Sequence, residues 1–346
     1  MNEILAIAFS LSKTWSYKAK KDAIDRVGSF SALVEQSRSK FESLDLKSAH
    51  LQLKKLEKDG GWVWIYGEEE FPQSLSKLSD PPLVVYGHGE KKLDEENLLA
   101  MVGTRHPTPY GKRIGLWLAK DLIGEGLTLV SGLARGVDSL AHQVSVDAGV
   151  PTVAVVAHGL EMVYPAENRK LKEAILTTGG TILSEYPFGI KPLAGYFPQR
   201  NRIISGLCKG TLVIEASESS GTKHTVSHAL DQAREVFAVP GPIDSEYSLY
   251  PNELISSGAT MVRTSQDIVM LYPHRKLRKS NKEKVSFMPT KLQKQILHFL
   301  DKNQGKSIEE FLSITTYQPQ EAIPSLTELE LYGKVVKCAD STYLLA

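Results

Sequence analysis

Three hydrogen-bonding side chains in a row, Arg200, Asn201 and Arg202, stand directly before Ile203 and Ile204 in the stretch FPQRNRIISG. Two guanidiniums flanking an amide form a dense block of donors suited to an anion, and the isoleucines read as the buried face of a helix. Matching groups follow the apolar runs elsewhere. LLAMV leads into Gly103, Thr104 and Arg105, LTLV into SGLARG with Gly132 and Arg135, and TLVIEA into Ser217 through Thr222, which contains Ser220 and Gly221. TVAVVA leads into His158-Gly159 and, after a loop, Asn168, Arg169 and Lys170, while Lys191 lies just ahead of the FPQRNR block. Glycines at such turns let backbone amides approach a ligand, and the next helix N-terminus adds unpaired N–H groups, a combination that suits phosphate. Arg105 and Arg135 add mobile charge beside the amides, and Arg200 and Arg202 extend the surface. A plainer reading stays open. A lone SGxxxG turn also serves strand-to-helix packing, and Arg200 and Arg202 can pair with Glu185 or Glu215.

Catalytic and metal constellations are thin. Ser131, Asp138 and His142 supply the residue types of a triad, but Asp138 and His142 lie four apart on one helix and no GxSxG elbow occurs. His224 and His228 lack the Glu between them that a zinc-protease helix carries, and no Cys, Asp or Glu stands at ligand spacing, so no metal site is expected. Neither GxxxxGK[ST] nor a GxGxxG at the first strand-helix turn is present, which excludes a P-loop and a standard dinucleotide site; no cofactor is expected.

Six apolar runs between Leu98 and about Met270 alternate with segments of helical periodicity. They predict a doubly wound parallel sheet with its ligand crevice outside the carboxyl ends of the strands. Residues 1–58 show helical spacing throughout, and from Gly60 the pattern GGWVWIY changes to short strands. The segment 273–289 is rich in Lys and Arg and reads as a solvated linker. Beyond it, residues 290–346 show three short helical patterns and a hairpin, the order of a winged-helix module. Its third helix, about Gln318 to Leu331, carries Glu321, Glu328 and Glu330 with no Lys or Arg, so protein contact is expected of it rather than duplex reading.

With 346 residues, 42% hydrophobic and 23% charged, the chain has ordinary globular composition and room for two or three domains. A net charge of +1 indicates no partner by itself, because nucleic-acid binding needs local excess. Two cysteines without CxxC spacing exclude a disulfide scaffold. The N-terminal run ILAIAFSL is too short to span a bilayer and lacks the features of a signal peptide, so a cytoplasmic protein is expected.

The succession VGTRHPTPYG, SGLARGVDSLAH, HGLEMVYPAEN, SEYPFG, FPQRNRIISGL, LVIEASESSGT and VFAVPG resembles the DprA/Smf family of DNA-processing proteins, over about Trp62 to Val269. The resemblance implies an α/β protein in three parts. These are an extended Rossmann-like domain at 60–272, a small helical SAM-like domain at 1–58 and a winged-helix domain at 290–346. It further implies binding of single-stranded DNA, dimerisation, delivery of the strand to the RecA recombinase, and no catalysed reaction. The positions matching the family's DNA pocket are Gly103, Thr104, Arg105, Gly132, Arg135, Arg200, Asn201, Arg202, Ser220, Gly221 and Thr222. Arg169, Lys170 and Lys191 join them on charge alone. Two departures stand out: Lys223-His224-Thr225-Val226 replaces an apolar residue followed by Thr-Ala, and Ala233-Arg234 replaces Gly-Arg. The competing reading is a nucleoside-monophosphate phosphoribohydrolase using Glu185 or Glu215, although its PGGxGTxxE signature is absent.

Overall fold

Strands buried from end to end must be covered on both faces, and this demand sets the architecture. The computed structural model describes residues 1–37, 41, 43–278, 289–301, 305–331, 334–338 and 342–345. Residues 279–288 of the basic segment and 339–341 of the C-terminal hairpin lie outside the described residues, as do 38–40 and 42 in the helical stretch FSALVEQSRSKFESL. Two compact units are present, one of residues 1–107 with 114–278, the other of 108–113 with 279–346.

The first unit carries a nine-stranded sheet. In chain order its strands are β1 Trp62–Ile65, β2 Val84–Gly89, β3 Leu98–Val102, β4 Thr128–Ser131, β5 Val153–Val156, β6 Thr181–Ser184, β7 Gly210–Val213, β8 Glu235–Ala238 and β9 Thr260–Met261. Their spatial order is β1-β2-β6-β5-β4-β3-β7-β8-β9. From β6 to β9 every neighbouring pair is parallel, and β3 through β7 are buried at every position, as a sheet sandwiched between helices requires. The six predicted runs are β3 to β8. The GGWVWIY and LVVYGHG segments add an antiparallel edge, β2 against β6 and β1 against β2.

From β3 the chain builds outward through β4, β5 and β6 on one side and through β7, β8 and β9 on the other. Adjacent crossovers therefore leave in opposite directions between β3 and β7, which opens a crevice at their carboxyl ends. The FPQRNR block lies on helix Tyr196–Leu207, which packs on β3 and β5 with Ile203 and Ile204 fully buried.

The N-terminal helices share this unit's core. Phe9, Phe30 and Phe41 cluster with ring centroids 5.4–5.9 Å apart, in a buried apolar group continuous with Val63, Trp64 and Tyr86 of the antiparallel edge. Tyr17 donates to the Pro81 carbonyl and Tyr66 to the Asp25 carboxylate, so polar bonds also tie the N-terminal helices to the segments flanking β1 and β2.

The second unit holds helices Lys291–Phe299, Ile308–Ser313 and Pro319–Leu331, then the antiparallel pair β10 Val335–Lys337 and β11 Tyr343–Leu345. Reciprocal capping boxes, Thr290 with Gln293 and Ser307 with Glu310, start its first two helices. Its core is Ile296, Leu300, Phe311, Leu326, Leu329 and Val335.

Candidate functional site

At the β3/β7 crevice lies a cavity of ≈ 680 Å³, lined by three segments the sequence had marked: Gly103 to His106 after β3, Ser217 to Thr225 after β7, and Phe197, Arg200 and Asn201 on the helix between. Two glycines permit the close approach of these turns. A Cβ on Gly136, at φ 75°, would lie 2.3 Å from the Thr104 carbonyl, and one on Gly132 would lie 2.6 Å from the Asp138 carboxylate. Between them Leu133 takes the left-handed conformation at φ 56°. That strained turn is held from two directions: Asn168 donates to the Leu133 carbonyl at 2.9 Å, and Asp138 accepts from the Gly132 and Ala134 amides at 3.1 and 3.3 Å.

Of the cations expected in the pocket, Arg105 alone presents an exposed guanidinium to it. Arg200 reaches the lining but is 3% exposed, and its Nη1 donates to the carbonyls of Gly132, at 2.9 Å, and Val155. Burial pulls its pKa down to about 10, against the attraction of Asp138, so it stays charged at neutral pH. Asp138 is pushed up by the same burial and drawn back by Arg200. Arg200 thus braces the floor of the cavity. Arg105 and Arg200 each lie 5.9 Å from the Phe197 ring centroid, within cation–π range, and Tyr164 packs on Phe197 at 5.6 Å.

Arg202 departs from the expected pocket altogether. One helical turn does not bring residues 200 and 202 to the same side, and Arg202 points away to bind Glu185 at 2.7 Å and Asp80 at 3.0 Å. Burial lowers its pKa, but these two carboxylates more than offset the effect and hold it above the usual value. The plainer reading, pairing with Glu185, is the one realised for Arg202. Arg135 is exposed and tied to Glu167 by two bonds of 2.7 and 2.9 Å, and it does not line the cavity. Arg169, Lys170 and Lys191 are exposed and also absent from the lining.

The turn amides are partly committed. Thr104 N–H donates to the Glu215 carbonyl at 2.6 Å and Ser220 N–H to Ser217, whereas the Arg105 and Gly221 amides have no protein acceptor among the described residues. Thr222 starts the helix Thr222–Asp231, whose N-terminus faces the cavity. The departure Lys223-His224-Thr225-Val226 fits without disruption: Thr225 and Val226 are buried, Lys223 lies 4.8 Å over the Tyr250 ring, and His224 lines the cavity. Among the aromatics of SEYPFG and the neighbouring YFPQRNR stretch, Phe197 reaches the lining; Phe188 is buried, and Tyr186 and Tyr196 stack on each other at 4.4 Å. Glu246 and Tyr247 complete the rim and went unpredicted, though they follow the exit of β8, where the same strand-end rule applies.

Neither carboxylate cast for glycosidic-bond hydrolysis is placed for it. Glu185 is bound to Arg202, and Glu215 does not line the cavity. Ser131 donates to the Met101 carbonyl and His142 bonds Thr152, so the triad types form no relay. Among the described residues no three His, Cys, Asp or Glu groups gather as metal ligands, and no helix is long and apolar enough to cross a membrane.

Known proteins resemble this chain in sequence and in fold. The family model for DNA recombination-mediator protein A matches residues 62–273. Protein Smf of Escherichia coli is 38% identical over 252 residues, 72% of this chain and 67% of its own length. DNA processing protein DprA of Bacillus subtilis is 39% identical over 208 residues, 60% of this chain and 70% of that protein. The structure of DprA from Streptococcus pneumoniae superimposes with a TM-score of 0.60 at 28% identity, covering 80% of this chain and 94% of that one. That of DNA processing protein A from Helicobacter pylori gives 0.55 at 30% identity, covering 61% and 94%. A match that spans every strand of the sheet and both turns of the crevice places the chain in the DNA recombination-mediator protein A family.

Proposed function

We propose that the β3/β7 cavity holds the sugar-phosphate chain of single-stranded DNA and that the protein processes incoming or recombining strands without a catalysed reaction. One observation carries this reading: the turns after β3 and β7 and the FPQRNR helix meet at one cavity that offers free amides at Arg105 and Gly221, hydroxyls at Thr104, Ser220 and Thr222, and the mobile Arg105 guanidinium. Such a surface grips phosphates with little sequence preference. The Helicobacter pylori relative, described for its single-stranded DNA binding mode, supports the same reading. Gly103 and Asn201 belong to this surface, Gly132 and Arg200 act by shaping it, and Arg202 is committed to Glu185 and Asp80 outside it. Arg135, Arg169, Lys170 and Lys191 serve as an outer cationic rim along which a longer strand runs.

Dimerisation would set two such cavities on one strand and raise avidity through effective concentration, leaving the bases open for transfer to RecA. The four-part division at 58, 272 and 289 accompanies this reading, with the C-terminal unit acting as a winged-helix module that contacts protein. A cytoplasmic location follows from the partners. Fluorescence anisotropy of a labelled oligo-dT across a salt series tests the site. Arg105→Ala should weaken binding and reduce the slope of log affinity against log salt by about 0.7, one phosphate contact on a single strand. An unchanged slope sinks the assignment.

A further inference from the structure

A second cavity, of ≈ 650 Å³, lies at the opposite end of the sheet, where β3, β7 and β8 begin. Four segments bring cations to it: Lys77 after the short helix Gln73–Ser76, Lys92 ahead of β3, Lys209 directly before β7 and Arg234 directly before β8. Three carboxylates stand among them, and each is already engaged. Asp94 accepts from the Asn97 side chain at 2.8 Å, Glu95 accepts from the Gln73 and Ser74 amides at 3.2 and 2.8 Å, and Glu96 is ion-paired with Lys209. Lys77 and Lys92 are exposed and, among the described residues, form no ion pair.

Deeper in the cavity, Arg234 donates through Nη2 to the carbonyls of Ser74 and Gly206, at 3.1 and 3.0 Å. Its Nε and the Ser74 Oγ are both buried and have no partner. Buried donors without acceptors are uncommon and costly, and here they stand at the base of the cavity beside the Arg234 guanidinium. Leu93, Leu207 and Cys208 provide an apolar wall beside them.

We propose that this cavity binds a nucleoside phosphate, with phosphate oxygens on Lys77, Lys92 and the Arg234 guanidinium and the base against Leu93. The volume falls in the range of small-molecule sites and far exceeds a bare phosphate. Two mobile ammoniums beside one fixed guanidinium match a polyphosphate chain, and Arg supplies the directed donor while the lysines act as point charges. Free nucleotide and the 5′-phosphorylated end of a DNA strand share this chemistry.

Titration calorimetry on the full chain distinguishes them, with ADP, with inorganic phosphate, and with a short oligonucleotide bearing or lacking a 5′-phosphate. Wild-type protein should bind ADP or the phosphorylated oligonucleotide more tightly than inorganic phosphate. The double variant Lys77→Ala/Lys92→Ala should lose about tenfold or more, since two charge-assisted contacts disappear, while its binding of unphosphorylated oligo-dT stays as in wild type. Binding of ADP assigns the free nucleotide, and a gain confined to the 5′-phosphorylated oligonucleotide assigns the strand end. Absence of both, persistence of binding in the double variant, or its loss in Arg105→Ala instead, which moves the ligand to the β3/β7 cavity, overturns the proposal. Both lysines are exposed, so an unchanged thermal midpoint in the double variant separates lost binding from lost fold.

Discussion

Three arginines, one in the turn after β3 and two on the FPQRNR helix, look equivalent in sequence and have three different tasks. Arg105 faces the cavity, Arg200 is internal to its floor, and Arg202 is locked between Glu185 and Asp80. Removing each should therefore be read by a different measurement. Arg202→Ala leaves the Glu185 carboxylate, 24% exposed, without its partner and should destabilise the fold by about 1–3 kcal/mol, below the range for a fully buried pair because Asp80 is 55% exposed. Urea unfolding measures the loss. The salt slope of oligonucleotide binding should stay at its wild-type value in the same variant; a reduced slope with unchanged stability would return Arg202 to the phosphate surface.

At the scale of elements, the turn ahead of β8 carries a conformational cost. Ala233 takes φ 53°, a left-handed conformation that disfavours a Cβ. The residue is exposed, so its methyl buries nothing in return. Ala233→Gly should stabilise the protein by about 0.5–1 kcal/mol, the relief of the left-handed strain less the added entropy of the unfolded chain. A thermal midpoint that falls instead would show that the strain is absent. Leu133, at φ 56° in the SGLARG turn, shares the conformation but is fully buried and bonded through Asn168, so the same exchange there would remove packing as well as strain.

For the whole molecule, three histidines are folded into its interior as neutral groups. Burial lowers the pKa of His142 to about 3, with Arg200 adding to the effect, and likewise pulls down His88 and His158, each also disfavoured by Lys172. Their Nε2 atoms are buried without partners. An unfolded histidine takes up a proton below about 6.5, and these folded ones take it up only at lower pH, so stability is complete above that pH and falls as the pH drops through it. His142 alone should remove about 2 kcal/mol between pH 6.5 and 5. Urea midpoints at pH 7, 6 and 5 check this, and a flat series contradicts it.

Local pattern was enough to determine the parallel strands, the helix bearing Arg200 to Arg202 and the turns that meet at the crevice, because burial on both faces writes continuous apolar runs and strand ends collect glycine and polar residues. The antiparallel pairing of β2 with β6 and the continuity of the N-terminal helices with that edge were not written there, since both depend on which faces meet between segments distant in the chain. The same holds for charge. Arg, Asn and Arg at adjacent positions announce donors, but their directions diverge around a helix, and only the fold supplies Asp80, 122 residues away, to take Arg202 out of the cavity that Arg105 occupies.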